Sequence, residues 1–184
     1  MDYTPKLHYR KSIRLKNYNY SQAGFYFITI CTQNHEYLLG EINEDEMILN
    51  DAGEMIKKWY FELENKFKSI KCHEMTIMPN HFHCIIEIIQ PACTCNVGAD
   101  LCVCPKHKGG HIGPPLQRVI QWFKTMTMNE YIRGVKEQRW KRFNKRFWQR
   151  NYYEHIIRHE ASYVQISQYI QDNPIKWQED KYYV

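Results

Sequence analysis

The chain has 184 residues and a formal net charge of +5, and 43% of its residues are hydrophobic and 24% are charged. This composition excludes a disordered chain and suits a single globular domain over residues 1–184. No apolar stretch approaches the length that crosses a bilayer, and the N-terminal segment lacks the apolar core of a secretion signal. We therefore expect no membrane partner and a cytoplasmic, nucleoid-associated location.

The first half of the chain alternates strand-like and helix-like patterns. Three segments rich in β-branched and aromatic residues predict strands. They cover residues 24–32, 71–78 and 81–89. Residues 37–50 carry several acids and predict a short hairpin or loop. Asn50 or Asp51 is placed to cap a helix that runs to about Phe67.

The second half opens with an interruption. Residues 91–114 contain Pro, Gly and four cysteines without apolar periodicity, which predicts a surface loop or insertion. Pro115 is placed to begin a helix that reaches about Ile132. A possible short strand follows, and then a final helix over residues 160–173, whose apolar residues are Val164, Ile166 and Ile170. This order predicts an α+β fold in which an antiparallel sheet carries helices on one face.

The segment from Arg133 to Arg150 holds eight Lys or Arg residues and a single acid. Trp140, Phe143, Phe147 and Trp148 lie among these cations. Cations follow a phosphate backbone and aromatic rings stack on unpaired bases, so the segment suits single-stranded nucleic acid. Alternatively, the cations form a solvated face and the aromatic residues belong to the core. The candidate DNA-binding residues are Arg133, Lys136, Arg139, Lys141, Arg142, Lys145, Arg146 and Arg150.

His81 and His83 are two residues apart on a predicted strand. Side chains at that spacing project from the same face, so both imidazoles are placed to share a metal ion. Phe82 and Cys84 are then expected to face the core. The alternative is a pair of unrelated surface histidines at a strand edge.

Tyr169 and Asn173 are four residues apart on the final predicted helix and therefore share a face. A tyrosine hydroxyl can attack a phosphodiester and hold the cut end as a phosphotyrosine. An amide oxygen and imidazoles suit Mg²⁺ or Mn²⁺ chemistry on phosphate. The alternative is a core tyrosine followed by a helix-ending Asn before Pro174.

Three motifs in this order resemble the HUH single-tyrosine transposases, in particular the REP-associated tyrosine transposase group. They are MPNHFHCII, WQRNYYEHIIR and YIQDNP, and the resemblance runs from about Gly24 to Trp177. It implies an RRM-like or ferredoxin-like antiparallel sheet with a C-terminal catalytic helix. It also implies a transposase that cleaves and rejoins single-stranded DNA at hairpin-forming repeats through a 5′-phosphotyrosine.

The resemblance further implies roles for single residues. His81, His83 and Asn173 would bind a divalent metal, Mg or Mn, and Tyr169 would be the nucleophile. Tyr152 and Tyr153 compete for that role, but only Tyr169 has the amide four residues later that the family shows. Tyr153, His155 and Arg158 are possible auxiliary residues, of which the last two would orient phosphate or brace the site.

The cysteine-rich loop raises the question of a structural zinc site. Its pattern from Cys93 to Cys104 is CxC–x6–CxC, whereas structural zinc sites usually carry CxxC pairs. We therefore expect no zinc there.

Two other functions remain open from the sequence. One is a catalytically silent module that binds DNA hairpins, and the other is an RRM-like RNA-binding protein. The partner that we expect is single-stranded or hairpin DNA, and REP-associated relatives favour a monomer over a homodimer.

Overall fold

The computed structural model of the protein describes residues 18–89 and 115–184. Six strands and three helices are formed there, together with two short 3-10 turns at Gln33–His35 and Trp177–Glu179. The strands are β1 (Gly24–Cys31), β2 (Gly40–Asn43), β3 (Glu46–Leu49), β4 (Ile70–Met78), β5 (His81–Ile88) and β6 (Tyr153–Ile157). The helices are α1 (Asp51–Lys66), α2 (Leu116–Glu137) and α3 (Glu160–Asp172).

The main sheet has the strand order β4-β5-β1-β6, with every neighbouring pair antiparallel. Along the chain these strands and the first two helices follow the order β1-α1-β4-β5-α2-β6. This is the connectivity of a ferredoxin-like βαββαβ fold. The predicted α+β class with an antiparallel sheet is confirmed. The acidic segment after β1 is the separate hairpin of β2 and β3.

One face of the main sheet packs against α1 and α2. Phe82 and Cys84 point into this core, as the strand period predicts, and both are almost completely buried. Phe82 contacts Tyr60 of α1 and Phe123 of α2 through their rings. Burial of these large apolar side chains is the main stabilising contribution to the domain.

The opposite face of the sheet is covered by α3. Phe27, Ile85 and Ile157 of the sheet form a second apolar cluster with Ile170 of α3. Val164 is 59% exposed and does not contribute to this cluster. The buried stripe of α3 instead follows Tyr163, Ile166 and Ile170, which are spaced by three and four residues.

Local chemistry accounts for the helix ends. The side chain of Asn50 accepts a hydrogen bond from Gly53 N at 3.0 Å, so Asn50 rather than Asp51 caps α1. Helix α2 runs five residues beyond Ile132, and Gly134 in this extension lets the Trp140 ring lie against the helix. A Cβ at Gly134 would lie 2.3 Å from ring atoms of Trp140.

Within the described ranges, no helix is long and apolar enough to span a membrane. The cysteine-rich segment, and with it the expectation about zinc at Cys93 to Cys104, lies outside the described residues.

Candidate metal and tyrosine site

His81 and His83 are neighbours on β5, and both are buried on the α3 side of the sheet. Their ring centroids are 4.5 Å apart. They lie opposite Cys31 and Thr29 of β1 in the antiparallel register. The predicted pairing of the two imidazoles on one face therefore exists, and they are not surface histidines.

The orientation of His81 is set by the turn residue before it. Asn80 Nδ2 donates to the backbone oxygens of Tyr182, at 2.7 Å, and of His35, at 3.3 Å. These two carbonyl partners require the amide nitrogen at that position, so Asn80 Oδ1 is the atom that lies 2.9 Å from His81 Nδ1. An amide oxygen only accepts, so His81 Nδ1 donates and His81 Nε2 presents its lone pair to the site.

His83 is held from the neighbouring strand. Its Nδ1 lies 2.8 Å from Thr29 Oγ1, and its Nε2 lies 3.3 Å from the Tyr169 hydroxyl. Burial lowers the pKa of His81 from 6.5 to about 4, although the charge of Asp180 opposes this effect. Burial and the neighbouring His81 hold the pKa of His83 well below its usual value. Both imidazoles are neutral at physiological pH, which is the form that binds metal.

Helix α3 brings Tyr169 and Asn173 to the histidines, as their spacing of four residues predicts. Asn173 is buried at the C-cap of α3, and its Nδ2 donates to Asp180 Oδ2 at 3.2 Å. Among the residues that the structure describes, Asn173 Oδ1 and His81 Nε2 are buried without a hydrogen-bond partner. A buried polar atom without a hydrogen-bond partner lowers the stability of the fold. Asn173 Oδ1 and His81 Nε2 both present lone pairs in the same site, and a bound cation would satisfy them. The residues therefore fit a divalent metal.

Asp180 is a member of the site that the sequence analysis missed. Ligand atoms of His81, His83 and Asp180 all lie within 4.8 Å of one another. Asp180 follows the turn Trp177–Glu179, in a tail without periodicity, and it is separated from His83 by 97 residues of sequence. No spacing rule connects positions so far apart, and the only signal in the sequence was an acid among tail aromatics.

The Tyr169 hydroxyl lies 3.3 Å from His83 Nε2 and 3.4 Å from Asp180 Oδ2. The side chain is 40% exposed, so the ring contacts Phe27 and His83 while its edge is open to solvent. Burial, followed by the charge of Asp180, raises the pKa of Tyr169 from 10.0 to about 12. Tyr169 is therefore a neutral hydroxyl at the edge of the site, accessible to a polymer substrate.

The other tyrosines and auxiliary residues lie elsewhere. Tyr152 packs against the helical side of the core. Tyr153 begins β6 opposite Thr29, with an exposed ring near Phe27. His155 and Arg158 are exposed, on β6 and just after it, and in the described chain no hydrogen bond joins them to Tyr169 or to His81 and His83. Of these four, only Tyr153 borders the site.

The segment from Arg133 to Arg150 contains aromatic side chains that pack on the core and cationic side chains that are exposed. Phe147 and Trp148 are buried in the helical core and are not available to stack on bases, whereas Trp140 and Phe143 are half-buried and pack against that core. The eight predicted DNA-binding cations are all exposed. Arg146 and Arg150 line one groove together with residues of α2.

The segment that lines this groove makes hydrogen bonds to α2 and to β1. Lys124 Nζ donates to the backbone oxygens of Gln149, at 2.6 Å, and Arg150, at 3.1 Å. Gln149 N donates to the oxygen of Cys31, which lies opposite His81. The backbone of the segment that lines the groove is therefore hydrogen-bonded to β1 next to His81.

No protein-family profile matches the chain. An uncharacterized protein of Haemophilus influenzae is 44% identical to it over 186 residues, which cover 99% of this chain and 97% of that protein.

Solved structures share the fold. A REP-associated tyrosine transposase, solved bound to a REP hairpin, superposes with a TM-score of 0.55 at 17% identity, over 94% of this chain and 77% of that one. A candidate transposase of Deinococcus radiodurans superposes with a TM-score of 0.44 at 14% identity, over 86% of this chain and 97% of that one. The resemblance to the single-tyrosine transposases is thus confirmed in the fold.

Proposed function

This chain belongs to the same family as the Haemophilus influenzae protein and has the fold of a REP-associated tyrosine transposase, and we propose that it is a metal-dependent DNA transposase. In this proposal it cleaves and rejoins single-stranded DNA at hairpin-forming repeats, with Tyr169 as the nucleophile and a 5′-phosphotyrosine as the intermediate.

The observation that carries the proposal is the convergence of groups from three separate elements. Two neutral imidazoles come from β5, Tyr169 and Asn173 come from α3, and Asp180 comes from the tail after it. A hydroxyl nucleophile next to a cluster of nitrogen and oxygen ligands is the arrangement that phosphoryl transfer needs.

The ligands proposed for the metal are His81, His83, Asn173 and Asp180. The amide and carboxylate oxygens among them suit Mg²⁺ or Mn²⁺, and the whole set suits these ions better than an all-sulfur site would. When bound, such an ion supplies positive charge that polarises a phosphate oxygen. Asn80 holds His81 in the tautomer that leaves its Nε2 lone pair facing the site, and Thr29 positions the His83 ring through its Nδ1.

Tyr169 supplies the covalent chemistry. Its hydroxyl oxygen forms a bond to the scissile phosphorus, and the bond from phosphorus to the 3′-oxygen breaks. The hydroxyl proton passes to solvent at the exposed edge of the ring, and the departing 3′-oxygen takes a proton from solvent. In the rejoining step a 3′-hydroxyl attacks the phosphotyrosine and releases Tyr169, so no ATP is consumed.

Three features support DNA as the partner. The eight exposed cations from Arg133 to Arg150 provide the electrostatic attraction, and Arg146 and Arg150 line a groove beside α2 that can hold a phosphate backbone. The structural neighbour was solved with a REP hairpin. We propose that a monomer binds the hairpin, and a light-scattering mass measured with and without DNA tests this.

The RRM-like alternative has less support. RRM domains bind RNA on an open sheet face that carries stacking aromatics. Here α3 covers Phe27 and Ile85 on one face, and α1 and α2 cover the other. A silent hairpin-binding module remains the competing outcome, because it would need the same cationic groove but no Tyr169.

A covalent-trapping assay tests the proposal. The protein is incubated with Mn²⁺ or Mg²⁺ and labelled hairpin DNA from beside its own gene, and the products are separated on a denaturing gel. We expect a metal-dependent shifted band that Tyr169→Phe abolishes. Tyr153→Phe is the matched control, since it removes the hydroxyl of another exposed tyrosine at the site edge, and it should retain the band. Tight binding without an adduct in the wild type would instead favour the silent module.

A further inference from the structure

Lys181 is an exposed cation at the open edge of the site, and the proposed chemistry gives it no role so far. Its Nζ lies 4.7 Å from the ring centroid of Tyr182 and 5.4 Å from that of Tyr153. The Tyr182 ring is in turn 4.7 Å from the His81 ring and 6.1 Å from the His83 ring. The ammonium group is therefore held between two aromatic rings, one of which contacts both histidines.

The neighbouring acid does not neutralise this cation. Asp180 Oδ1 accepts from Tyr182 N at 2.7 Å, and Asp180 Oδ2 accepts from Asn173 Nδ2. Within residues 18–89 and 115–184, Lys181 forms no ion pair with a carboxylate.

An unpaired cation beside a metal site is unfavourable for the metal alone, since like charges repel. The same cation is favourable once a phosphodiester occupies the space between them. Tyr153 is 46% exposed and presents a free ring next to Lys181, which suits stacking on an unpaired base.

We propose that Lys181 and Tyr153 form a nucleotide-binding edge of the site, in which Lys181 binds a phosphate of the single strand next to the scissile phosphate and Tyr153 stacks on the adjoining base. This inference rests on the proposed function and adds to it the residues that hold the strand beside the nucleophile. A simpler role for Lys181 and Tyr153 is to hold the C-terminal tail against β6. The two roles predict different results when oligonucleotide binding is measured.

The experiment uses the full chain carrying Tyr169→Phe, which prevents cleavage, with Mn²⁺ and a fluorescently labelled single-stranded thymidine oligonucleotide. Binding is measured at several salt concentrations for Lys181→Met, Lys181→Arg and Tyr153→Leu. We expect Lys181→Met to weaken binding and to reduce the slope of log K against log salt by about 0.7, the value for one phosphate contact on a single strand. Lys181→Arg should restore the slope, because it keeps the charge.

Tyr153→Leu should weaken binding roughly tenfold with the salt slope unchanged, because it removes stacking rather than charge. In the absence of DNA, Lys181→Met should bind Mn²⁺ more tightly than the parent in calorimetry, whereas Lys181→Arg should not. A role limited to fastening the tail predicts neither the change in slope nor tighter metal binding.

Lys58→Met is the matched control. Lys58 is also exposed and lies 5.6 Å from the ring centroid of Trp59, but on α1, beyond the other face of the sheet. A salt slope for Lys181→Met equal to that of Lys58→Met would overturn the inference, and Lys181→Gln repeats the comparison if Lys181→Met aggregates. The covalent-trapping assay tests the proposed function separately. If the wild type forms an adduct at Tyr169 but the salt slopes of oligonucleotide binding are unchanged in the variants, only the nucleotide-binding edge is refuted. If the wild type forms no adduct, the proposed function is refuted.

Discussion

Asn80 Oδ1 accepts a hydrogen bond from His81 Nδ1 at 2.9 Å, so a turn residue determines which nitrogen of the next side chain faces the proposed metal site. The same amide donates to the backbone of Tyr182 and thereby joins the C-terminal tail to β5. One side chain thus sets the orientation of the His81 ring and the position of the segment that carries Asp180.

We expect Asn80→Ala to lower the affinity for Mn²⁺ by about 10- to 100-fold, the usual effect of losing a hydrogen-bond partner of a ligand. The physical reason is that His81 can then rotate or change tautomer. Calorimetric titration of the folded variant measures this. Asn144→Ala, which removes an exposed asparagine from the basic segment, should leave the affinity unchanged. Equal affinities for the two variants would show that Asn80 does not orient the ligand.

Asp180→Asn tests whether the tail supplies a ligand. Replacing a carboxylate by an amide removes a negative charge from the site, and affinity for hard divalent cations depends on the number of charged ligands. We expect the affinity for Mn²⁺ to fall roughly tenfold or more. Asp172→Asn is the control, because Asp172 pairs with Lys176 on the surface of α3 and not with the histidines. Full Mn²⁺ affinity in Asp180→Asn would remove this residue from the ligand set.

Tyr163 should stabilise the protein in a pH-dependent way. Its hydroxyl donates to Glu74 Oε2 at 2.6 Å and holds α3 on β4. Partial burial acts to raise the pKa of Glu74, but hydrogen bonds from Tyr163, the backbone and Ser167 outweigh it and keep the pKa below 4.5. A lowered carboxylate pKa contributes stability that is present above the unfolded value and is lost as the pH falls through the folded value.

We therefore expect Tyr163→Phe to lower the free energy of unfolding by about 1 kcal/mol at neutral pH. The difference from wild type should shrink as the pH falls below 4.5, where Glu74 becomes protonated. Urea unfolding at a series of pH values measures both effects. Tyr153→Phe should show no such trend, and a difference for Tyr163→Phe that is constant with pH would exclude the contribution of Glu74.

Gly134→Ala should destabilise the protein although alanine is the better helix former. The added Cβ would lie 2.3 Å from ring atoms of Trp140, so the ring must move. Overpacking of this kind costs about 1–3 kcal/mol, more than the helix propensity gained. Glu137→Ala, an exposed substitution one turn later in α2, should change the free energy of unfolding by less than about 0.5 kcal/mol. Increased stability of Gly134→Ala in urea unfolding would contradict the packing seen here.

The strand and helix periods of the sequence were enough to predict which neighbouring side chains share a face. Strand period places His81 and His83 on one face with Phe82 in the core, and helix period places Tyr169 and Asn173 together. The same local signals predicted the bounds of β1, β4, β5 and α1 to within one residue and the cap of α1 to one of two residues. These features depend on neighbours in sequence, which a pattern can detect.

The positions of α3, of the buried aromatic residues and of the C-terminal tail depend on the tertiary structure alone. It places α3 on the face of the sheet opposite α1 and α2, it buries Phe147 and Trp148, and it brings the irregular tail with Asp180 and Lys181 to the histidines. The tail lacks periodicity, and its position results from contacts such as Asn80 with the backbone of Tyr182, which join residues 102 positions apart. The free energy of such contacts depends on packing across the whole domain, so no local pattern in the chain encodes them.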